Sequence, residues 1–284
     1  MPLDTVSNAI EEKYAQWFTD LREEFIHTTS DQEYLRNELE FAAKNSRFSF
    51  YDGLNPMWLM SNSERAAMFM ILSRIKPQII IEVGCRFAGS TFIFSQFAKH
   101  VYTIDIDPAV LDRCRPLENV TVLLGNSREI LPGLIDKVNQ EHGGWDFALV
   151  DGDHSTAGVC ADLNIFLNRR PLKRAFISMH DSFNPECRKG ILAAEWDQPW
   201  VQTVDVDFTP GDLKSRPDMY GEMWGGLALC EVSPQNREGP LSISADQNLS
   251  YEISFRFQNQ LHRIPLQKRL AAGIKRRIRR YLHL

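Results

Sequence analysis

The chain has 284 residues, 43% hydrophobic and 24% charged, proportions of an ordinary globular protein that exclude a low-complexity or repeat chain. The net charge of −5 conceals an asymmetry, because residues 263 to 284 hold eight Lys/Arg and no acid. The rest, with 24 basic against 37 acidic residues, would repel a phosphate backbone, so nucleic acid is not an expected partner.

Five scattered cysteines without a CxxC pair argue against a disulfide framework or a zinc knuckle. The opening MPLDTVSNAIEEKYAQ has no basic segment followed by an apolar one, and no run of about 18 apolar residues occurs. The expectation is a soluble cytoplasmic protein.

Helical patterns come first, over Thr5 to His27, Asp31 to Ala43 and Ser63 to Ile75, the last opened by Ser61-Asn62-Ser63-Glu64 as a cap region. Between the second and third lies FSFYDGLNPMWLM (48 to 60), a loop packing on the core or one wall of an acceptor pocket. From residue 78 short apolar runs alternate with helical stretches, the signature of βαβ units around a parallel sheet. The expected strands are Gln78 to Val83, His100 to Ile104, Val120 to Leu124, Trp145 to Val150 and Arg174 to Met179. Near-continuous apolar character (IIIEV, DFALV, AFISM) means that both sheet faces are covered. Val201 to Phe208 and Gly226 to Val232 read as an antiparallel pair finishing the sheet.

The first strand ends in EVGCRFAGST, Glu82 to Thr91, and runs directly into a helix. A glycine turn permits close approach of a ligand, and the helix N-terminus offers free N–H donors to a carboxylate or phosphate. The second strand ends in VYTIDIDP, where Asp105, chosen over Asp107 because it directly follows the strand, is placed to grip a ribose diol. The third ends in LLGNSREIL, where Asn126 and Ser127 could meet an adenine edge.

With these three strand ends in order, the run from Ile79 to about Val232 resembles the class I S-adenosylmethionine-dependent methyltransferases. The resemblance implies an α/β fold with a Rossmann-like seven-stranded sheet, mostly parallel with an antiparallel last strand. It also divides the chain into a helical N-terminal cap (1–77), a cofactor-binding core (78–232) and a C-terminal extension with a basic amphipathic helix (233–284). S-adenosyl-L-methionine is the implied cofactor, its methionine end near Glu82, Gly84 and Gly89, with Cys85 and Ser90 in the same turn. Ribose would lie on Asp105 and adenine near Asn126 and Ser127, with Asp151 bordering the same site. Arg86 and Phe87 depart from the family pattern, which carries a glycine there; Arg86 either clamps the cofactor carboxylate or points to solvent. The GxGxxG fingerprint of nicotinamide enzymes is absent.

The fourth strand ends in LVDGDHSTAG and the fifth in SMHDSFNP. These motifs resemble the branch of macrocin- and mycinamicin-type sugar O-methyltransferases and cephalosporin-hydroxylase-like proteins, in which the two strand ends hold magnesium or manganese. The resemblance implies Asp151 and Asp181 as ligands of Mg2+ or Mn2+, His154 as general base, and His180 as an alternative ligand or base. The chemistry suits a hydroxyl acceptor, because a hard cation lowers its pKa and fixes its position, and carboxylate oxygens suit such a cation. Asp153 is expected to close the turn. Ser182 stands where catechol-type relatives carry an amide ligand.

The tail LQKRLAAGIKRRIRRYLHL spaces Leu266, Leu270, Ile274, Ile278 and Leu282 at intervals of four among basic residues. A helix there would suit an anionic membrane surface through residues 262 to 284, or would pack between subunits of a homo-oligomer. The functional expectation is a metal-assisted O-methyltransferase acting on a sugar hydroxyl of a glycan or glycosylated natural product. The alternatives are a catechol-type or other small-molecule hydroxyl acceptor and, in another class, a non-catalytic nucleotide-fold protein docked at membranes.

Overall fold

The computed structural model describes residues 58–215 and 219–263. The expected helices Thr5 to His27 and Asp31 to Ala43, most of the aromatic loop, and the tail beyond residue 263 lie outside the described residues.

The first described helix, α1 (Asn62–Ile75), starts at Ser61, whose hydroxyl accepts from the Glu64 N–H while the Glu64 carboxylate takes the Ser61 N–H at 2.5 Å. This reciprocal capping box satisfies donors that would otherwise be left bare at the helix start. Lys76 ends the helix in a left-handed conformation.

Five strands then alternate with helices: β1 (Ile79–Val83), α2 (Gly89–Phe97), β2 (His100–Asp105), α3 (Val110–Cys114), β3 (Val120–Leu124), α4 (Ser127–His142), β4 (Phe147–Val150), α5 (Thr156–Leu167) and β5 (Ala175–His180). After α6 (Pro185–Leu192) come β6 (Val201–Leu213), β7 (Met223–Val232), β8 (Ser242–Ser244) and α7 (Asn248–Arg263). The strand order is β3-β2-β1-β4-β5-β7-β6-β8. Strands β1 to β5 are parallel, and β7 runs antiparallel to both β5 and β6.

This is the expected Rossmann-like, mostly parallel sheet, with two differences. The last two long strands extend beyond the sequence reading, because β6 continues through a register shift at Asp205 and Thr209 that lets a bent strand stay paired. The sheet also gains a short eighth strand, β8, which runs parallel to β6 and covers the edge that β6 would otherwise expose.

The period of two along β1 divides the core into two layers. Ile79, Ile81 and Val83 pack with Leu131, Ile135 and Val138 of α4 and Leu163, Phe166 and Leu167 of α5. Ile80 faces the other way, with Met68 and Leu72 of α1 and Phe92 and Phe94 of α2. Glu82 shares the Ile80 parity and so points toward α2, a buried acid among apolar neighbours. Among the described residues no helix is long and apolar enough to cross a membrane.

The chain leaves β1 toward β2 on one side and returns to β4 on the other, opening a crevice at their carboxyl ends. Gly84 closes the β1 side of it at φ +95°, where a Cβ would stand 2.2 Å from the Asp151 carbonyl oxygen. Only glycine lets the two turns approach this closely. On the far side, the buried Arg188–Asp207 pair (2.7 Å) joins α6 to β6, and Asp207 also accepts the Gln247 N–H just before α7.

Candidate active site

At the end of β1 the Glu82 carboxylate is fully buried and accepts hydroxyl bonds from Ser90 (2.5 Å), Thr91 (2.5 Å) and Thr103 (2.7 Å). Burial, with a smaller push from Asp151, raises its pKa to about 7 against the lowering effect of those hydroxyls. Glu82 thus ties the start of α2 to β2, and Ser90 is spent on this bond. The β1–α2 turn is left-handed at Arg86 (φ 45°) and Ala88 (φ 61°), so the chain adopts the turn without the customary glycine. The Arg86 guanidinium lies over the Phe87 ring at 4.9 Å from its centroid. Cys85 is buried beside Thr91 and Cys114. Gly89 opens α2, whose first turn has no side-chain cap, so the geometry of the helix leaves its leading N–H groups available to an anion.

Asp105 at the end of β2 accepts the Cys85 and Arg86 N–H groups on one carboxylate oxygen (2.8 and 2.7 Å) and the Asp107 N–H on the other (2.9 Å). A carboxylate offers about four acceptor positions, so one remains for a ribose hydroxyl. Asp107 is engaged elsewhere, with the Ala109 N–H and the buried Arg113. At the end of β3, Asn126 caps α4 and Ser127 donates to Asp162 (2.7 Å). Arg128 reaches across to Asp153 of the β4 turn at 2.6 Å, and Asp153 also accepts the Ser155 N–H.

The ends of β4 and β5 converge. The Asp151 Oδ1 lies 3.2 Å from His154 Nε2 and 3.0 Å from His180 Nδ1, and Asp181 Oδ2 lies 3.6 Å from each of those nitrogens. One donor atom each from Asp151, His154 and Asp181 lie within 4.8 Å of one another, a spacing that could hold a metal ion. The two carboxylates offer the oxygen donors that magnesium or manganese takes, and the imidazole favours the softer of the two, manganese.

Electrostatics follow from this packing. Burial opposes the charged form of Asp151, but the adjoining His180 and His154 outweigh it and hold the carboxyl below the usual range. For Asp181 burial dominates and the Asp151 charge adds to it, so its pKa is raised although the imidazoles and the Gly225 N–H partly offset the shift. The hydrogen bond with Asp151 raises His154 despite desolvation. His180 is also raised, as Asp151, Asp181 and Glu64 together overcome burial. Asp181 sits at φ +56°, an uncommon conformation for a non-glycine residue, held by the Gly225 N–H on its carboxylate at 2.6 Å.

Three further neighbours join the site that no sequence motif marks. Glu64 of α1 places Oε1 3.1 Å from His180 Nε2, an ion-pair contact not aligned as a hydrogen bond. Gly225, at φ +80°, leaves room for it, since a Cβ there would stand 3.1 Å from that oxygen. Trp224 stands edge-on to the His154 ring at 5.7 Å and forms part of the wall beside it. The Ser61-x-x-Glu64 cap signal locates Glu64 on a helix start, but nothing local tells that its second oxygen faces a site more than a hundred residues away.

Residues 52–181 match the family model described as rhamnosyl O-methyltransferase/CmcI. The rhamnosyl O-methyltransferase of Mycobacterium tuberculosis (strain ATCC 25618 / H37Rv) is 31% identical over 123 residues, covering 39% of this chain and 49% of that protein. That of Mycobacterium leprae (strain TN) is 29% identical over 104 residues, covering 34% of this chain and 44% of that protein. The chain therefore spans about half the length of the curated relatives it matches. Among solved structures, the O-methyltransferase from Bacillus cereus in complex with SAH superposes with a TM-score of 0.45 at 14% identity, covering 78% of this chain and 99% of that one.

Proposed function

We propose that this chain is an S-adenosylmethionine-dependent O-methyltransferase that acts on a sugar hydroxyl with the help of a divalent cation. The observation that carries this reading is the convergence of Asp151, His154 and Asp181 beside the β1–β4 crevice. The family-model match over residues 52–181 and the name shared by the curated relatives support a rhamnosyl or similar sugar acceptor. The motif likeness to macrocin- and mycinamicin-type enzymes is consistent with it.

When bound, S-adenosylmethionine supplies an electrophilic methyl group on a sulfonium. The residues fit that cofactor: the uncapped start of α2 suits its carboxylate, and Asp105 keeps an acceptor position for its ribose. A divalent cation, when bound, makes a coordinated hydroxyl more acidic. We assign Asp151 and Asp181 to hold it, and the His154 ring to take the acceptor's proton. His154 is 37% exposed at its side chain whereas His180 is 10% exposed, so an acceptor arriving from solvent meets His154. Trp224 and His154 then orient the hydroxyl, since a misplaced nucleophile forfeits most of the gain from proximity.

Calorimetry with S-adenosylmethionine, followed by mass spectrometry of rhamnosylated acceptors incubated with protein and cofactor, tests the reading. A 14-dalton gain per acceptor that disappears in EDTA and returns with Mn2+ is expected, at about the mass of one CH2. Absence of cofactor binding overturns the methyltransferase reading, and full turnover in EDTA overturns the cation.

We also propose that residues 262 to 284 dock on an anionic membrane surface. Charge complementarity supports this, and α7 leads into the segment with Leu249 (72%), Ile253 (60%) and Phe257 (39%) exposed at intervals of four. Co-sedimentation with phosphatidylglycerol vesicles, but not phosphatidylcholine vesicles, is expected, and removal of residues 264 to 284 should abolish it.

A further inference from the structure

We infer that Glu64 is a positioning residue that clamps the His180 ring against Asp151, making His180 a support for a cation ligand instead of a ligand itself. The inference deepens the metal reading above and rests on it for its consequence, though not for its geometry. Both ring nitrogens of His180 face carboxylates, Nε2 in an ion-pair contact with Glu64 at 3.1 Å and Nδ1 in a hydrogen bond with Asp151 at 3.0 Å. An imidazole binds a cation through a nitrogen lone pair, and a buried ring held on both nitrogens by carboxylates has none left to turn toward an ion. Groups standing behind a ligand in this way orient it and tune its basicity.

Glu64 is built for this task. Its side chain is 2% exposed and His180 is 10% exposed, so neither contact is diluted by solvent. Its other oxygen is pinned by the Ser61 N–H at 2.5 Å, which fixes the carboxylate's orientation before it meets the ring. Gly225 contributes the space beside Oε1 and, through its N–H, also holds Asp181. The burial cost of Glu64 is overcome by His180, which lowers the Glu64 pKa to about 2. Thus α1, which precedes the cofactor strands in the chain, completes the back of the site formed by β4, β5 and β7.

The test compares Glu64→Ala, Glu64→Gln and Ser61→Ala in the full chain. Ser61→Ala loosens the same helix turn but keeps the carboxylate. Mn2+ affinity measured by calorimetry is expected to weaken by about tenfold or more in Glu64→Ala, the range typical of lost outer-shell partners, with Glu64→Gln weakened less and Ser61→Ala unchanged. In metal-free protein, the NMR signal of the His180 Nε2–H should be present in the unsubstituted chain and in Ser61→Ala and lost to exchange in Glu64→Ala, while the Nδ1–H facing Asp151 persists in all three. Equal effects of Ser61→Ala and Glu64→Ala on either readout, or no change in Glu64→Ala, overturn the inference. An unsubstituted chain that binds no Mn2+ but shows the Glu64-dependent ring signal removes the metal reading and leaves the clamp supported.

Discussion

Replacing Asp151 with Asn is expected to lower methyl transfer by roughly a thousandfold, equivalent to about 4 kcal/mol of transition-state stabilisation. Asp151 is where the two histidines meet, with Oδ1 3.2 Å from His154 and 3.0 Å from His180. The amide keeps the shape but loses the charge, so it weakens a hard-cation ligand and the raised basicity of His154 together. Steady-state rates and Mn2+ calorimetry should fall in parallel, while binding of S-adenosylhomocysteine stays within a few-fold because α2 and Asp105 are untouched. An Asp151→Asn protein with near-normal turnover would overturn the assignment of this carboxylate. His154→Ala separates the two histidine roles, since turnover should collapse with Mn2+ still bound.

The second large effect is structural. Gly84→Ala is expected to destabilise the fold by about 3 to 4 kcal/mol, from an unfavourable left-handed backbone and overpacking against the neighbouring chain. The added Cβ would meet the Asp151 carbonyl oxygen at 2.2 Å, its carbon at 2.6 Å and the Gly152 nitrogen at 2.9 Å. All three are backbone atoms of the β4 turn and cannot swing aside as a side chain can. A thermal scan should show the midpoint falling by roughly 10 °C. Gly133→Ala is the contrast within the same scan: it lies inside α4 with nothing within 4 Å of the new methyl, so the midpoint should rise slightly. A Gly84→Ala midpoint equal to the unsubstituted one would show that the two turns are not locked together. The glycine of the first turn is thus needed by the protein's own β1–β4 contact, whatever cofactor lies beside it.

Strands β1, β4 and β5 were legible because each is a short, mostly apolar run bounded by turn residues, the composition favoured in a strand covered on both faces. The ends of β4 and β5 were legible as candidate sites because polar residues directly after such runs lie at the carboxyl edge of the sheet. Edge strand β8 was not, since three residues of SIS carry no pattern beyond chance and pair only because β6 is already in place. The bend that lengthens β6 was hidden for a similar reason, as register depends on the partner strand.

Local sequence fixes the long elements and the residue types at their ends: a glycine turn after β1, Asp105 after β2, Asp151 with His154 after β4, and His180 with Asp181 after β5. These follow from local periodicity and turn chemistry, which neighbours in the chain control. Only the tertiary structure decided how those groups are used. It turned Glu82 inward onto three hydroxyls, brought Asp151, His154 and Asp181 within 4.8 Å, and set Glu64 against His180. Such pairings lie between residues up to 116 positions apart, and their distances are set by how helices and strands pack, which no local pattern encodes.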